Sequence, residues 1–222
     1  MAENKTILAE SEIEIPIDGG EKIRGTLDIA KEARGIVIFA HGSASNRRSP
    51  RNKYVASALQ EKGFSTLLFD LLTDREETID LRTREYRFDI ELLTKRLLLA
   101  TMWCRDNKDT KELSIGYFGA STGAAAALFA AAQLGDAIKA VVSRGGRTDL
   151  AITVLPAVKA STLLIVGGDD YAVIDLNRRA ARYLAVKNEL IIIPHAGHLF
   201  EELGALEQVS GAASKWFEDY LK

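Results

Sequence analysis

The sequence is poor in cysteine, in charge of one sign and in long apolar runs. One cysteine, Cys104, stands in 222 residues, which excludes an internal disulfide and any metal site built from several cysteines. The formal net charge is -2, from 29 basic and 31 acidic residues, so no general affinity for nucleic acid or an anionic membrane is expected. No stretch has the ~18 consecutive apolar residues of a membrane-spanning helix.

The N-terminal stretch and the lone cysteine both have ordinary interpretations. MAENKTILAESEIEIPIDGG is polar and acidic, without the basic and then apolar segments of a secretory signal, so the expected location is cytoplasmic. Cys104 continues an apolar stripe of helical spacing that includes Leu93 and Leu97. We therefore predict a buried core thiol rather than a reactive cysteine.

Short apolar runs rich in branched residues recur along the chain and are typical of parallel strands covered on both faces. They are GIVIFAH, FSTLLFD, LSIGYFG, IKAVVSRG, STLLIVGG and ELIIIPH. Before them, SEIEIPID and KIRGTLDIA alternate apolar with polar residues around Asp18-Gly19-Gly20. This alternation predicts an antiparallel hairpin with one solvated face.

The stretches that separate the apolar runs are long enough to cross over as helices. They are RNKYVASALQEK, YRFDIELLTKRLLLATMWCRD, GAAAALFAAAQL and VIDLNRRAARYLAV, with ALEQVSGAASKWFEDYLK closing the chain. Strand and helix alternate without a repeat or a linker, which predicts a single α/β domain over residues 1–222. We expect a three-layer sandwich with a mainly parallel sheet and the antiparallel hairpin at one edge.

Side chains capable of chemistry follow the predicted strands. Ligands of open α/β sheets bind beyond the carboxyl ends of the strands, so residues at these ends are expected to converge. Exposed strand ends tolerate polar residues in any protein, but all three histidines of this chain fall there, which favours a site. The set is His41, Asp70, Ser121, Arg144, Asp169, Asp170, His195 and His198.

The stretch GYFGASTGAAAALFAAA passes from an apolar run through GASTG into an alanine-rich helix. Flanking glycines allow a serine to occupy a sharp strand-to-helix turn, where larger neighbours would collide. The Ser121 hydroxyl then projects above the sheet, near the first free amides of the helix. A glycine-rich phosphate loop is the alternative, but no Lys-Ser or Lys-Thr follows the last glycine. We predict that Ser121 is a nucleophile.

A serine nucleophile needs a base, and the base needs a carboxylate that orients it. The chain offers both in the order Ser, Asp, His that this kind of turn requires. Asp170 is the preferred acid because its spacing leaves it on the loop after STLLIVGG, whereas Asp169 is expected to cap that loop or face solvent. His198 is the preferred base because small residues before it let the loop fold back over the serine. His195 is expected to lie at the surface or to contact the reacting residues without taking part in the reaction.

An acyl-transfer site also needs donors for the developing oxyanion. The first candidate is the backbone amide of Thr122, the residue after the nucleophile. The second is the amide of Ser43, since Gly42 before it permits an unusual backbone after GIVIFAH. We expect His41 to brace this loop by hydrogen bonding rather than to titrate in catalysis.

These segments together resemble the α/β-hydrolases, and within them the dienelactone hydrolase-like group, from the first hairpin to the last helix. The resemblance rests on FAHGSASNRRSPRN, FDLLT, GYFGASTGAAAAL, VVSRGG, LLIVGG with Asp170, and HAGHLF. The original dienelactone hydrolases use a cysteine nucleophile, whereas this chain has Ser121. The resemblance therefore implies a carboxylesterase-like enzyme that cleaves an ester, lactone or related acyl bond of a small molecule through an acyl-enzyme, without a metal or an organic cofactor.

The interval between VVSRG and STLLI, where relatives often insert a cap domain, is short, so we expect an open site or one closed only by loops. Several arginines are candidates for binding a substrate carboxylate, and Arg144 is the best placed of them. Most are expected to be solvated or paired with acidic neighbours. They are Arg47, Arg82, Arg84, Arg87 and Arg144.

Two alternatives to a hydrolase use the same sequence features. In an acyltransferase, an alcohol or thiol would replace water and the same residues would serve. In a non-catalytic or engineered binding protein, the hydrolase fold would persist without useful turnover. The intact Ser, Asp and His set argues against a decayed site.

Overall fold

A computed structural model describes residues 7–222 of the chain. An eight-stranded sheet forms the centre of the fold. Residues 1–6 of the domain predicted over 1–222, the start of its polar N-terminal stretch, lie outside the described residues. The strands are β1 (Ile7–Pro16), β2 (Lys22–Ala30), β3 (Ile36–Ala40), β4 (Ser65–Phe69), β5 (Ile115–Ala120), β6 (Ile138–Arg144), β7 (Ser161–Gly167) and β8 (Asn188–Ile193).

The strand order is β1-β2-β4-β3-β5-β6-β7-β8. Strands β1 and β2 pair antiparallel, as do β2 and β4, whereas every pairing from β4 to β8 is parallel. The antiparallel hairpin therefore lies at one edge of a mainly parallel sheet, which confirms the fold class predicted from the sequence. All strands from β3 to β8 point their carboxyl ends at the same edge, where the candidate residues were expected to meet.

Helices cover both faces of the sheet. They are α1 (Pro50–Glu61), α2 (Asp74–Thr83), α3 (Ile90–Asp106), α4 (Thr122–Leu134), α5 (Tyr171–Tyr183) and α6 (Ala205–Tyr220). Apolar residues of α3, α4 and α5 share one core with the sheet, and those of α1 and α6 share the core on the other face. This is the predicted three-layer arrangement, in which the buried strands contribute side chains to the cores on both faces of the sheet.

The buried face of helix α4 is made largely of alanine. The four alanines of Ala124–Ala127 are completely buried between α3 and the sheet. On the same face, the Tyr117 hydroxyl lies 2.6 Å from that of Thr101, so this polar group is not left unpaired in the core. Cys104 is buried, and burial raises the pKa of its thiol to about 12, as befits a core residue.

Helix α2 was not among the helices predicted from the sequence. The helix has a capping box: the Glu76 amide donates to the Thr73 hydroxyl, and the Thr73 amide donates to the Glu76 carboxylate. The pattern Thr-x-x-Glu is a recognised start signal and was visible in the sequence. Its apolar periodicity is too weak to indicate a helix, since Asp80 is the only buried residue of α2.

The connection between β6 and β7 holds two short 3-10 turns, Thr148–Ala151 and Leu155–Ala157, and no further helix. Among residues 7–222, no helix combines the length and the apolar character needed to cross a bilayer.

We expect Thr73→Ala to lower the free energy of unfolding by about 1 kcal/mol, because it removes the side-chain acceptor at the start of α2. Urea unfolding followed by circular dichroism measures the change. Thr78→Ala, in the exposed middle of the same helix, is the matched control and is expected to change stability by less than about 0.5 kcal/mol. Equal losses from the two substitutions would contradict the capping role of Thr73.

Candidate active site

Ser121 lies at the turn between β5 and α4 in a backbone conformation that few residues adopt. Its φ is 51° and its ψ is -118°, a conformation that costs on the order of 1–3 kcal/mol for a residue with a side chain. Two hydrogen bonds hold the turn: the Ser121 amide donates to the Arg144 carbonyl at 3.1 Å, and the Ser121 carbonyl accepts from the Arg147 amide at 3.1 Å. The turn leaves Ser121 partly exposed above the sheet.

The glycines on either side of Ser121 are required by close backbone contacts. A Cβ on Gly123 would lie 2.2 Å from the Ala40 carbonyl oxygen, and a Cβ on Gly119 would lie 2.5 Å from Ala124 Cα. Contacts this short between a side chain and rigid backbone cannot be relieved by a rotamer change. The GxSxG spacing is thus explained by packing of the turn against β3 and the start of α4.

Asp170 is the carboxylate that the structure brings to a histidine. Its Oδ2 accepts a hydrogen bond from His198 Nδ1 at 2.6 Å, and its side chain is 16% exposed. The Asp170 amide donates to the Gly167 carbonyl, which closes the turn between β7 and α5. Asp169 points to solvent, and its amide donates to the Ala196 carbonyl at 3.0 Å, so it joins the two loops through its backbone alone.

His198 lies on the loop after β8, next to the segment that holds the serine turn. A Cβ on Gly145 would lie 3.3 Å from His198 Cε1, and Gly145 belongs to residues 144–147, which bond to the backbone of Ser121. In the described part of the chain, no hydrogen bond joins the Ser121 hydroxyl to the imidazole, a contact that often tightens only when substrate is bound. His195 is exposed, with a φ of 57°, at the start of this loop.

The two backbone amides predicted to bind an oxyanion lie beside Ser121. A Cβ on Gly42 would lie 3.1 Å from Ser121 Cβ, so the loop after β3 runs directly along the serine. The Ser43 hydroxyl lies 3.0 Å from the Thr122 hydroxyl, which joins the loop to the first residue of α4. Neither the Ser43 amide nor the Thr122 amide has a hydrogen-bond acceptor within residues 7–222.

His41 braces the loop and has no direct contact with the serine. Its Nδ1 donates to the Gly42 carbonyl at 2.9 Å, and its Nε2 accepts from the Leu71 amide at 3.0 Å, an arrangement that requires the neutral ring. Burial lowers the pKa of His41, against a smaller opposing effect of the Gly42 hydrogen bond and the Asp70 charge. The imidazole therefore stays uncharged at neutral pH and ties the loop after β3 to the one after β4.

Two of the arginines proposed as anion binders are paired with carboxylates. Arg47 donates to Asp70 at 2.5 Å and to Glu12 at 3.1 Å, which also explains why Asp70 follows a strand. Arg87 donates to Asp80 at 2.5 Å, and Asp80 accepts from the Arg87 amide as well. Their charges are neutralised by these partners, so neither is free to bind a substrate.

The other three arginines differ in burial. Arg82 and Arg84 are exposed, and Arg84 ends α2 with a left-handed φ of 61°. Arg144 ends β6 and is buried, with its guanidinium carbon 5.7 Å from the centre of the Phe200 ring. Of the five candidates, Arg144 alone is both buried and without a carboxylate partner in the described residues.

Asn177 is a positioning residue that the sequence interpretation missed. Its Nδ2 donates to the Gly146 carbonyl at 2.9 Å and to the Val173 carbonyl at 2.8 Å, so α5 is tied to the segment 144–147. Helix α5 begins directly after Asp170, and the segment 144–147 contacts both His198 and Ser121. The hydrogen bond from Asn177 to Gly146 therefore helps to fix the positions of Asp170, His198 and Ser121 relative to one another. A polar residue on the apolar stripe of α5, four residues after Val173, was the available signal.

Comparison with solved structures gives a neighbour of high identity. The chain is 55% identical to a dienelactone hydrolase from Anabaena variabilis, with a TM-score of 0.94 over 98% of this chain and 100% of that chain. Est1E of Butyrivibrio proteoclasticus is 17% identical, with a TM-score of 0.80 over 94% of this chain and 98% of that chain, and this likeness concerns the fold.

Comparison with curated proteins gives relatives of a different name and of greater length. Two proteins of Mycobacterium tuberculosis, which carry the provisional name phosphoribosyl transferase, are 52% identical over 214 residues, or 96% of this chain. The matched region is 47% of each relative, so the chain spans about half of their length. No protein-family model matches the chain.

We expect Gly123→Ala to destabilise the protein by about 3 kcal/mol or more, because its Cβ would collide with the Ala40 and His41 carbonyl oxygens. Gly211→Ala in α6 is the matched control: nothing lies within 4 Å of its Cβ position, and we expect a gain of up to about 1 kcal/mol. Thermal and urea unfolding measure both changes. A Gly123→Ala protein as stable as the control would contradict the close packing of the serine turn.

Proposed function

Because the chain belongs to the dienelactone hydrolase-like group of the α/β-hydrolases, we propose that it is a serine hydrolase. It cleaves an ester, lactone or related acyl bond through an acyl-enzyme on Ser121. The observation that carries this proposal is the strained turn that presents Ser121 beside a hydrogen-bonded Asp170–His198 pair. A structural serine has no need of a turn that costs free energy.

The first step is the attack of Ser121 on the acyl carbon. Asp170 accepts the Nδ1 hydrogen of His198, which leaves the Nε2 lone pair free to take the serine proton. As this proton moves to Nε2, the Ser121 oxygen bonds to the carbonyl carbon and the carbonyl oxygen becomes an oxyanion. Asp170 then stabilises the imidazolium cation, since it lies 2.6 Å from Nδ1.

The oxyanion is bound by the amides of Ser43 and Thr122, which have no acceptor of their own within the described residues. Each donor of this kind contributes roughly 2.7–4 kcal/mol to the transition state. The acyl–oxygen bond to the leaving group then breaks, and His198 gives its proton to the departing alcohol. Water then attacks the acyl-enzyme and gives a proton to His198. As the bond between the acyl carbon and the Ser121 oxygen breaks, His198 returns this proton to Ser121 and the acid is released.

We assign acyl-bond hydrolysis rather than phosphoribosyl transfer to this chain. The curated relatives that carry the transferase name are only 47% covered by it, so their name describes a longer protein. The neighbour of similar length, covered over 100% of its chain, is a dienelactone hydrolase. The hydrolase assignment therefore agrees with the relative that this chain matches end to end.

We expect p-nitrophenyl acetate to be cleaved with a burst of p-nitrophenolate, because acylation of Ser121 precedes slower hydrolysis. Ser121→Ala should lower kcat/KM by at least about 10⁴-fold and remove the burst. Ser57→Ala, an exposed serine on α1, is the control and should behave as wild type. Stopped-flow absorbance measures the burst, and a fluorophosphonate probe with peptide mapping identifies the labelled serine.

Two outcomes of this experiment would contradict the proposal. Activity that survives Ser121→Ala would exclude Ser121 as the nucleophile. A folded wild-type protein that neither turns over the ester nor reacts with the probe would favour a non-catalytic binding protein. Product analysis with a competing alcohol separates hydrolysis from acyl transfer, since a transferase would form the new ester in place of the acid.

We expect Asp170→Asn to lower kcat/KM by about 10³- to 10⁴-fold, because an amide presents the wrong group to His198 Nδ1 and cannot stabilise the imidazolium. Asp169→Asn is the matched neighbour, with the same change of charge on a side chain that faces solvent. Its effect should stay within about threefold. Steady-state kinetics with p-nitrophenyl acetate measures both, and equal losses would show that only the net charge of the loop matters.

A further inference from the structure

Arg144 is a buried guanidinium that lacks a hydrogen-bond acceptor in the described part of the chain. Its side chain is 8% exposed, and its Nε and Nη1 atoms are buried without a partner. The third nitrogen, Nη2, holds what solvent contact the group retains. Other buried arginines are neutralised: Arg47 by Asp70, and Arg96 by Glu76 at 2.6 Å. Arg144 is the exception, and its guanidinium carbon lies 5.7 Å from the centre of the Phe200 ring.

The charge of Arg144 is not removed by loss of its proton. Burial, and after it the nearby charge of Arg51, lower the pKa of Arg144 to about 10, so the group is still protonated at neutral pH. Burying a charge without a counter-ion costs several kcal/mol. Stacking on an aromatic ring offsets only about 1–2 kcal/mol of such a cost. An unpaired buried cation of this kind is expected where an anion from outside completes the site.

Arg51 adds a second positive charge at the same place. Its Nη1 donates to Glu201 Oε1 at 2.6 Å, while its Nε is buried without a partner. Glu201 directly follows Phe200, the ring on which Arg144 stacks, so the two arginines flank one dipeptide of the loop after β8. Glu201 is 65% exposed and is the only carboxylate bound to either arginine in the described residues, so the pair keeps an excess positive charge.

The pair lies beside the reacting groups. The Arg144 carbonyl accepts from the Ser121 amide, so this residue is in direct backbone contact with the proposed nucleophile. Phe200 is two residues after His198, so Arg144 packs beneath the loop that bears the proposed base. In the proposed reaction His198 donates a proton to the departing alcohol. The alcohol part of the substrate must therefore occupy the His198 side of Ser121. Both arginines contact the loop that bears His198, Arg144 through Phe200 and Arg51 through Glu201.

We propose that Arg144, with Arg51 beside it, binds an anionic group on the alcohol part of the substrate. The preferred substrates are then esters whose leaving group carries a carboxylate or a phosphate. The substrate preference rests on the proposed hydrolase function, whereas binding of an anion by the two arginines does not depend on turnover. Binding and kinetics therefore test the two statements separately.

Binding is measured first, with inorganic phosphate as the probe and the thermal midpoint of the full chain as the readout. We expect phosphate to raise the midpoint of thermal unfolding of the wild type. In Arg144→Gln, the affinity for phosphate should be roughly 10- to 100-fold weaker. Arg144→Lys should bind with intermediate affinity, because one ammonium replaces the guanidinium fork. Glu201→Gln should bind phosphate more tightly than the wild type, since it removes the carboxylate that offsets Arg51.

Arg34→Gln is the matched control for the binding experiment. Arg34 also stacks on a phenylalanine, with its guanidinium carbon 5.5 Å from the centre of the Phe64 ring, and it also pairs with one glutamate, Glu218. It precedes β3, at the opposite edge of the sheet from Ser121. Phosphate affinity equal to the wild type is expected here. Equal affinity in Arg144→Gln and in Arg34→Gln would overturn the anion site, as would weaker binding in Glu201→Gln.

Kinetics then test the substrate class with three acetate esters: phenyl acetate, 4-acetoxybenzoate and 4-acetoxyphenyl phosphate. Phenyl hydrogen succinate, which has its carboxylate on the acyl side, is the matched substrate. We expect Arg144→Gln to lower kcat/KM for the two anionic acetates relative to phenyl acetate by at least roughly tenfold. The ratio for the succinate should fall less. Of 4-acetoxybenzoate and 4-acetoxyphenyl phosphate, the ester that loses more kcat/KM in Arg144→Gln carries the preferred anion.

The outcomes separate this inference from the proposed function. Equal losses for neutral and anionic esters would overturn the substrate preference, and Arg144 would then act only by holding the loop of His198 through Phe200. Phosphate binding that requires Arg144, in a protein that cleaves none of the esters, would support the anion site and overturn the hydrolase proposal. If the protein cleaves the esters but does not bind phosphate, and Arg144→Gln leaves the ratio of kcat/KM for anionic and neutral esters unchanged, the anion site is overturned and the hydrolase proposal is supported.

Discussion

The close approach of three backbone segments at the end of β5 is the constraint on which the rest of the site depends. Gly123 lies so near the Ala40 carbonyl that no side chain fits between them, and Ser121 accepts a positive φ to make the turn. The turn is held by hydrogen bonds to residues 144–147. The backbone strain at Ser121 is thereby compensated by these hydrogen bonds and by the packing of α4. The strained turn places the Ser121 hydroxyl above the sheet.

The same segment, 144–147, connects the serine to the other residues of the proposed site. Gly145 lies under the His198 imidazole, and Asn177 ties Gly146 to α5, the helix that begins after Asp170. Because these contacts are made by backbone atoms and one buried amide, they hold relative positions without adding charge to the site. Backbone contacts of this segment and of the start of α5 thus fix the distances between side chains of the proposed site that lie far apart in the sequence.

The arginines illustrate how tertiary structure distributes charge. Arg47 pairs with Asp70, which follows β4, and Arg87 pairs with Asp80 of α2, so both guanidinium groups hold loops in place. Arg51 pairs with Glu201, whereas Arg144 has no carboxylate partner in the described residues. A chain with a formal charge of -2 therefore contains one local excess of positive charge beside its proposed nucleophile. Net charge carries no information about such a site, because the field near a buried group is set by its immediate partners.

Local pattern in the sequence determined the fold class and the order of the elements. Branched apolar runs that alternate with amphipathic stretches indicate a parallel sheet, and GASTG between a strand and a helix indicates the turn at Ser121, since both follow from backbone sterics and periodicity. Helix α2 was missed although its capping box was present, because a charged helix with one buried residue has little apolar periodicity.

Only the tertiary structure decided which of several equivalent side chains meet. Asp170 rather than Asp169 contacts His198, and Arg144 rather than Arg47 or Arg87 is left unpaired. The choice between two adjacent carboxylates depends on the direction in which a loop leaves β7. The pairing of Arg47 depends on a carboxylate 23 positions away in the chain. Neighbours in sequence share composition, but distances and burial, which set electrostatic energies, arise only from packing.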